Sequence, residues 1–527
     1  MKLIDRSLTA AAALLATTIA GGPALAETPQ TGPITVTSSD GAVRIAGTLI
    51  SHDADTLTIE TEIGRLTLAR SAVTCEGAAC PVAPKGFDMD VAVTDPGLTM
   101  MLQYMADDFA KKAGLVAMAV PGQGGGAGRI EILSDLADQA GENGIDLASV
   151  KPVEGFAALT AGRIDLALTA MEVPAPIATS YAEAGNTDLR DERRERVIAL
   201  DAIVPVVHPE NPVRSVSVPE MALIAAGRIT NWSELGGEDR PIRVILPARG
   251  SSLDMSLQEL VLEPNRVRLR RRGAERMDTE AQAVAAVMGD PGALTVTGMA
   301  NVDTAKVVPI RQVCGPLASA TDFTVKAEEY PLSRRILGYT GADAYGGNEG
   351  DFLDYMLSPE AQPLIARAGY VDQTIVAEPV GAQGTRMTSA ILTAGGSGLG
   401  LVQDFVRDLA TADRLSTTFR FQSGSSRLDT KAVDDIARMV EFLQSPEARL
   451  RDVLVIGFTD DVGRFDLNTR LAELRAAGVR DALLDAPGGD ALAGRIRVSS
   501  YGPLAPVGCN ETADGRDSNR RVEIWLR

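Results

Sequence analysis

A carboxylate and a guanidinium lie fifteen residues apart near the C-terminus, where they could bind one ligand that carries both charges. Asp460 comes directly after a predicted strand, and Arg475 falls in the middle of a helix predicted over 466–484, with Asn468 near its start. An aspartate can hold an ammonium group, and an arginine can grip a carboxylate through two parallel hydrogen bonds. The pair therefore suits a small zwitterion. The alternative is a surface salt bridge of little energetic value.

The elements that must position this pair alternate along residues 413–527. Helices are predicted at 430–443 and 466–484, and strands at 418–421, 453–458, 496–501 and 521–526. Alternation of this kind predicts a mixed α/β sandwich, here of the βαβαβ type.

Several motifs in this region resemble the OmpA-like peptidoglycan-binding domain. They are FQSGSS at 421–426, GFTDDVGRFDLNTRLAELRA at 457–476, YGP at 501–503 and GRDSNRRVE at 515–523. The resemblance implies that Asp460 and Arg475 bind the diaminopimelate of the peptidoglycan peptide stem. It also implies that the same pocket is shaped by Asn468, Asn519 and Arg520. Ala472, where a serine is usual, and Phe458, in place of a common histidine, depart from the family without removing a charged ligand.

The middle of the chain, about 86–375, changes to strand–helix alternation typical of an α/β architecture. Short stretches within 88–373 resemble the phosphate-type substrate-binding proteins of ABC transporters: 155–159, 161–165, 227–235, 329–335 and 352–369. The resemblance implies a type II periplasmic-binding fold, in which two α/β lobes close on a ligand. The candidate cleft residues are Thr94, Asp165, Arg249, Ser251 and Ser252.

The ligand loops of this domain depart from the family pattern. The first loop reads Val93-Thr94-Asp95-Pro96, in which Pro96 lacks an N–H and Asp95 would repel an anion. Phosphate needs a dense ring of hydroxyl and N–H donors, usually with an arginine. Three possibilities stay open: phosphate, another small anion or solute, or no small ligand, in which case the domain is a scaffold that contacts other envelope proteins.

The region before residue 86 has a different pattern, in which apolar and polar residues alternate over 34–80. Alternation of apolar and polar residues with short turns predicts an antiparallel meander or a small barrel. We therefore expect residues 27–85 to form a small all-β module. Cys75 and Cys80 bracket a short segment and are predicted to form a disulfide. Cys314 and Cys509 lie in different predicted domains and either pair with each other or stay as buried thiols.

Residues 1–26 have the features of a cleavable signal peptide. Lys2 and Arg6 precede an apolar stretch over 8–20, and Ala24-Leu25-Ala26 supplies a cleavage pattern. Together with the two resemblances, this predicts export to the periplasm and association with peptidoglycan on the outer-membrane side of the envelope. A glycine-rich segment, 376–412, is interpreted as a linker between the middle and C-terminal domains.

Composition narrows the function further. The chain has 51 basic and 70 acidic side chains, a formal charge of −19, which argues against nucleic acid as a partner. Two histidines cannot build a His-rich metal site, and no Ser–His–Asp or Cys–His pattern is visible, so we expect no enzyme, metal or cofactor. The sequence predicts a non-catalytic solute-binding-like protein anchored to peptidoglycan. The alternative is a scaffold whose middle domain has lost its small ligand.

Overall fold

The computed structural model falls into two compact units, residues 1–87 with 112–114, and residues 88–111 with 115–527. It describes residues 32–38, 43–52, 56–61, 64–69, 73–76, 87–112, 115–122, 128–134, 143–269, 275–342, 345–383, 390, 399–421 and 428–527.

The first unit is a five-stranded antiparallel sheet in the order β4-β3-β2-β1-β5. Its strands are β1 Gly32–Ser38, β2 Arg44–His52, β3 Thr56–Thr61, β4 Gly64–Ala69 and β5 Val73–Glu76. One face carries a buried apolar cluster that includes Ile34, Val36 and Leu49, as the alternation predicted. Cys75 is disulfide-bonded, whereas its predicted partner Cys80 lies outside the described residues.

The middle domain has one eleven-stranded mixed sheet, a short two-stranded sheet and helices. Its strands are β6 Asp88–Val93, β7 Leu115–Val120, β8 Gly128–Ser134, β9 Gly144–Ser149, β10 Leu166–Thr169, β11 Glu195–Val207, β12 Arg243–Pro247, β13 Glu275–Met277, β14 Ala293–Gly298, β15 Lys306–Val307, β16 Ile310–Arg311, β17 Leu317–Ala318 and β18 Ser333–Thr340. Its helices are α1 Pro96–Lys112, α2 Pro152–Thr160, α3 Ala175–Glu183, α4 Val218–Ala225, α5 Ser252–Leu257, α6 Glu280–Met288, α7 Asp322–Lys326, α8 Gly347–Leu357 and α9 Gln362–Arg367.

Strand β11 joins the two halves of this sheet, whose order is β13-β12-β14-β11-β18-β10-β6-β9-β8-β7. Its first part pairs with β18, and its last five residues pair with β14. In the first half, β6 and β10 run parallel, so their carboxyl ends lie side by side. The loops that follow such ends are where open α/β sheets bind ligands.

The C-terminal domain has a five-stranded sheet in the order β19-β20-β23-β21-β22. Its strands are β19 Ala377–Pro379, β20 Asp413–Arg420, β21 Val453–Phe458, β22 Ile496–Gly502 and β23 Arg521–Leu526, and its helices are α10 Leu399–Leu409, α11 Thr430–Gln444, α12 Phe465–Asp485 and α13 Ala513–Asn519. The α/β alternation predicted for this region is confirmed.

The segment 376–412 is not simply a linker, as its described part is built into the C-terminal domain. Strand β19 pairs with β20 at the edge of the sheet. Helix α10 buries Val402, Phe405 and Leu409, which recur along one helix face. The glycine-rich composition of the segment hid this apolar periodicity. Residues 384–389 and 391–398 of the segment lie outside the described part.

The middle and C-terminal domains form one compact unit, joined by covalent and polar contacts. A disulfide links Cys314 to Cys509, which settles the alternative left open by the sequence. The Nη2 of Arg335 on β18 lies 2.7 Å from Asp429 at the start of α11. The hydroxyl of Thr430 donates to Glu195 at 2.7 Å. Of the described helices, none has the length and apolar character needed to cross a bilayer.

Candidate functional site

The loop that carries Asp460 is held by its own backbone and by α12. The N–H of Val462 donates to Oδ1 of Asp460 at 3.1 Å. The side-chain amide of Asn468 donates to the carbonyls of Asp460 and Val462, at 3.3 and 3.1 Å. A Cβ at Gly457 would lie 2.0 Å from the carbonyl oxygen of Ala472. Helix α12 therefore packs closely on β21 only because Gly457 has no side chain.

Arg475 is a buried guanidinium with unused donors. Its Nε and Nη1 are buried without a hydrogen-bond partner, and the residue is 8% exposed. The guanidinium carbon lies 5.2 Å from the ring centre of Phe421. Burial lowers the pKa of Arg475, as does the nearby Arg520, while Asp460 acts in the opposite direction. An acceptor such as a carboxylate would satisfy these donors.

Asp460 already has a cationic neighbour. The Nη1 of Arg520 lies 2.6 Å from Oδ2 of Asp460, and Asp460 is 9% exposed. Arg520 also pairs with Asp517 on α13. The structure thus brings two carboxylates, those of Asp460 and Asp517, and two guanidinium groups together. A ligand carboxylate fits the unpartnered donors of Arg475, whereas a ligand ammonium would have to share Asp460 with Arg520.

Asn519 holds a loop instead of offering free polar atoms to the pocket. Its Oδ1 accepts the N–H groups of Val507 and Gly508, at 2.8 and 3.0 Å. Its Nδ2 donates to the carbonyl of Gly508 and to Oδ1 of Asn510, both at 2.8 Å. Asn519 is fully buried, so its role at this site is to fix the chain that leads into Arg520.

In the middle domain, loops from both halves of the sheet meet near the carboxyl end of β6. Thr94 follows β6, and Ser251 caps α5 by accepting the N–H of Asp254 at 3.1 Å. Ser252 is fully buried, and its side chain lies close enough to Asp95 to lower the pKa of that carboxyl. Arg249 is exposed beside them. Thr94, Arg249 and Ser251 lie outside helices and strands, and Ser252 is the first residue of α5.

Asp165 does not belong to this cleft, which corrects the sequence interpretation. It precedes β10, and its Oδ2 accepts the N–H of Asp90 at 2.9 Å. The loop that faces the cleft follows the other end of β10, roughly 13 Å away at about 3.3 Å per residue. The position of Asp165 in the family-like motif suggested the cleft. Because of the direction in which β10 runs, this carboxylate lies at the amino end of the strand, whereas the cleft lies at the carboxyl end.

A buried charged group lies at the cleft, and of its members only Asp95 was indicated by the sequence. The Nε and Nη2 of Arg334 lie 2.9 and 2.7 Å from Oδ2 of Asp201, and its Nη1 is buried without a partner. Asp95 is 7% exposed; burial raises its pKa to about 6, with Arg334 opposing and Glu280 adding to the rise. Asp201 and Arg334 face each other because β11 and β18 pair at these positions.

This charged group is poorly suited to a free oxyanion. Three carboxylates, those of Asp95, Asp201 and Glu280, surround one guanidinium, which Asp201 already neutralises. Glu280 is held by the hydroxyl of Thr297 at 2.6 Å and the N–H of Gly298 at 2.7 Å. A divalent anion would meet net negative charge in a region of low dielectric.

One group of potential metal ligands lies within the described part of the chain. It comprises Cys314, Cys509 and Glu511. Both cysteines are joined in a disulfide, and metal binding requires free thiolates. The group therefore offers a single carboxylate.

Comparisons with known proteins match two regions of the chain. Residues 82–360 match the PBP superfamily domain, and residues 420–520 match the OmpA family. The probable lipoprotein YiaD of Escherichia coli (strain K12) is 41% identical over 106 residues, which is 20% of this chain and 46% of that protein. The phosphate-binding protein PstS of Bacillus subtilis (strain 168) is 26% identical over 213 residues, 38% of this chain and 67% of that protein.

A solved structure is similar to about half of the chain. It is an ABC-type phosphate transport receptor from Vibrio cholerae, 18% identical, with a TM-score of 0.41, covering 53% of this chain and 98% of that chain. The chain spans about half the length of the curated relatives it matches first. The PBP match alone covers more than half of the 527 residues. The protein therefore belongs to the PBP superfamily and carries an OmpA family domain on the C-terminal side of its PBP domain.

Proposed function

We propose that this protein is a non-catalytic binding protein of the periplasm, held to peptidoglycan by its C-terminal domain. The observation that carries the proposal is the buried guanidinium of Arg475, whose Nε and Nη1 have no partner. Leaving a buried donor unsatisfied costs on the order of 1–3 kcal/mol, and more for a charged group. A ligand carboxylate at this position would recover that cost.

Diaminopimelate supplies the groups that this site needs. One of its carboxylates would accept from Arg475, and its ammonium would approach Asp460, displacing part of the contact with Arg520. The proposed location follows from the proposed ligand, because peptidoglycan lies in the periplasm, and a relative of this chain is named outer membrane porin F. The signal peptide predicted over 1–26 is consistent with export and lies outside the described residues.

Sedimentation with diaminopimelate-type peptidoglycan tests the anchoring. We expect the parent protein to pellet and both Asp460→Ala and Arg475→Ala to reduce the pelleted fraction at least tenfold, since each removes a charge-assisted contact worth about 1.5–3 kcal/mol. Arg470→Ala is the matched control, because Arg470 is an exposed arginine on the same helix. Equal pelleting of the Arg475→Ala variant and the parent would disprove the anchoring.

For the middle domain, the observations favour the scaffold alternative over a phosphate receptor. The buried carboxylate of Asp95 takes the position where the family pattern would provide an anion donor. We expect calorimetric titration with inorganic phosphate at pH 7.5 to give no isotherm in the micromolar range. A known phosphate-binding protein titrated in the same buffer is the positive control. A clean micromolar isotherm with this protein would end the scaffold interpretation.

A further inference from the structure

A large cavity lies between the PBP domain and the OmpA family domain, with a volume of about 1200 Å³. We call it the interdomain cavity. Its walls from the C-terminal domain include Phe421, Asp517 and Arg520, and its walls from the PBP domain include Glu172, Glu259, Val313 and Arg334.

The interdomain cavity adjoins the peptidoglycan site through two shared residues. Arg520 lines the cavity and lies 2.6 Å from Asp460. Phe421 also lines the cavity, and its ring packs against the guanidinium of Arg475. A ligand held between Asp460 and Arg475 therefore has its remaining atoms directed along a surface that both domains share.

The lining has the chemistry of a peptide site. It presents carboxylates on the PBP side, where burial and the neighbouring Glu172 raise the pKa of Glu259. It also presents cationic groups, among them the guanidinium of Arg520, which is 28% exposed. A ligand with both carboxylate and amide or amine groups can use both kinds of wall, whereas a purely anionic or purely cationic ligand would be repelled by one of them.

Covalent and ionic contacts between the two domains hold the walls of the cavity in place. The disulfide between Cys314 and Cys509 closes one side, and the ion pair between Arg335 and Asp429 closes another. Binding to a preformed cavity avoids the cost of ordering its walls. Small-molecule sites typically measure about 300–1,000 Å³, so this cavity has room for more than a single amino acid.

We propose that the interdomain cavity binds the part of the peptidoglycan peptide stem next to diaminopimelate, so that the PBP domain supplies half of the wall-binding site. This inference rests on the proposed function, because it requires diaminopimelate at Asp460 and Arg475. It gives the PBP domain a role in recognising the cell wall.

Titration calorimetry of the full chain with two ligands tests the inference. The ligands are free meso-diaminopimelate and the stem tripeptide L-alanyl-γ-D-glutamyl-meso-diaminopimelate. We expect the tripeptide to bind at least about tenfold more tightly than the free amino acid. Val313→Trp, which places an indole in the cavity from a residue that is 52% exposed, should remove this advantage and leave binding of free diaminopimelate unchanged.

Val153→Trp is the matched control, because Val153 is 50% exposed on α2 and does not line the cavity. It should alter neither affinity. Equal affinities of the two ligands for the parent, or an undiminished advantage of the tripeptide in Val313→Trp, would overturn the cavity inference while leaving the anchoring intact. Absence of binding by both ligands would instead overturn the proposed function, and the inference with it.

Discussion

Replacing Glu328 by glutamine is expected to lower the free energy of unfolding at pH 7 by about 3–5 kcal/mol, the range for breaking a buried ion pair on one side. The carboxylate of Glu328 lies 2.6 Å from Nε of Arg335 and 3.3 Å from Nε of Arg420. Arg420 belongs to β20 of the C-terminal domain, whereas Glu328 and Arg335 belong to the PBP domain. The substitution therefore weakens the junction between the two domains and leaves cationic groups short of an anion.

The pH dependence of this effect separates it from a loss of packing. Burial alone would raise the pKa of Glu328, but Arg335, Lys431 and Arg420 outweigh it and hold the pKa well below the ordinary value of 4.5. A carboxyl whose pKa is lower in the folded than in the unfolded state stabilises the protein above the unfolded pKa, and this stabilisation fades as the pH falls below it. The difference between parent and Glu328→Gln should thus be full at pH 7 and smaller at pH 3.5.

Urea denaturation at both pH values measures the difference. Glu238→Gln is the control, because Glu238 pairs with Arg240 at an exposed position, where ion pairs contribute about 0–1 kcal/mol. If Glu328→Gln loses no more stability than Glu238→Gln, or loses the same amount at pH 3.5 as at pH 7, the ion pairs of Glu328 do not hold this junction.

Local patterns were sufficient to predict the elements around the proposed peptidoglycan site. Helix α12 and strand β21 were both predicted, and the loop between them places Asp460 after the strand. Because helix and strand periods are properties of short stretches, they can be recognised without knowing the rest of the fold. Arg520 was expected to shape the pocket, but its ion pair with Asp460 was not predicted, because the two residues are 60 positions apart in the sequence.

Long-range pairing explains what the sequence could not show. Arg334 and Asp201 are 133 residues apart and meet only because β11 and β18 pair in one register. Cys314 and Cys509 are separated by 195 residues, so their pairing depended on how the domains pack. Asp165 was assigned to the wrong end of β10, because a motif gives the order of residues along a strand but not which end faces the ligand.

The same long-range packing changes how the two domains should be understood. Separate domains on a flexible linker would act independently, whereas a disulfide and buried ion pairs make the OmpA family domain part of the PBP domain's surroundings. Arg335 pairs across this junction, and its neighbour Arg334 reaches the cleft on the same strand. The two arginines therefore place the domain junction and the cleft next to each other along β18.

Asp95→Asn is expected to raise the free energy of unfolding at pH 7.5 by about 2–3 kcal/mol, since one pKa unit corresponds to about 1.4 kcal/mol. Burial raises the pKa of Asp95 from 3.8 to about 6. A carboxyl whose pKa is higher in the folded state destabilises the protein once it must ionise, so the parent loses stability as the pH rises from about 4 through 6. The asparagine variant avoids this cost because its amide carries no charge.

Urea denaturation from pH 4 to pH 7.5 is the measurement, with Asp165→Asn as the matched control. Asp165 lies at the opposite end of β10 and accepts a backbone N–H, so its replacement should give no gain in stability.

A stability gain for Asp95→Asn that grows between pH 4 and pH 7.5 would show that the chain retains a costly charge in its cleft. Residues kept at a cost in stability are typical of functional positions, since activity and stability often conflict there. An Asp95→Asn variant that is no more stable than the parent at pH 7.5 would mean that the cleft neutralises this carboxylate, and the argument against an oxyanion ligand would fail with it.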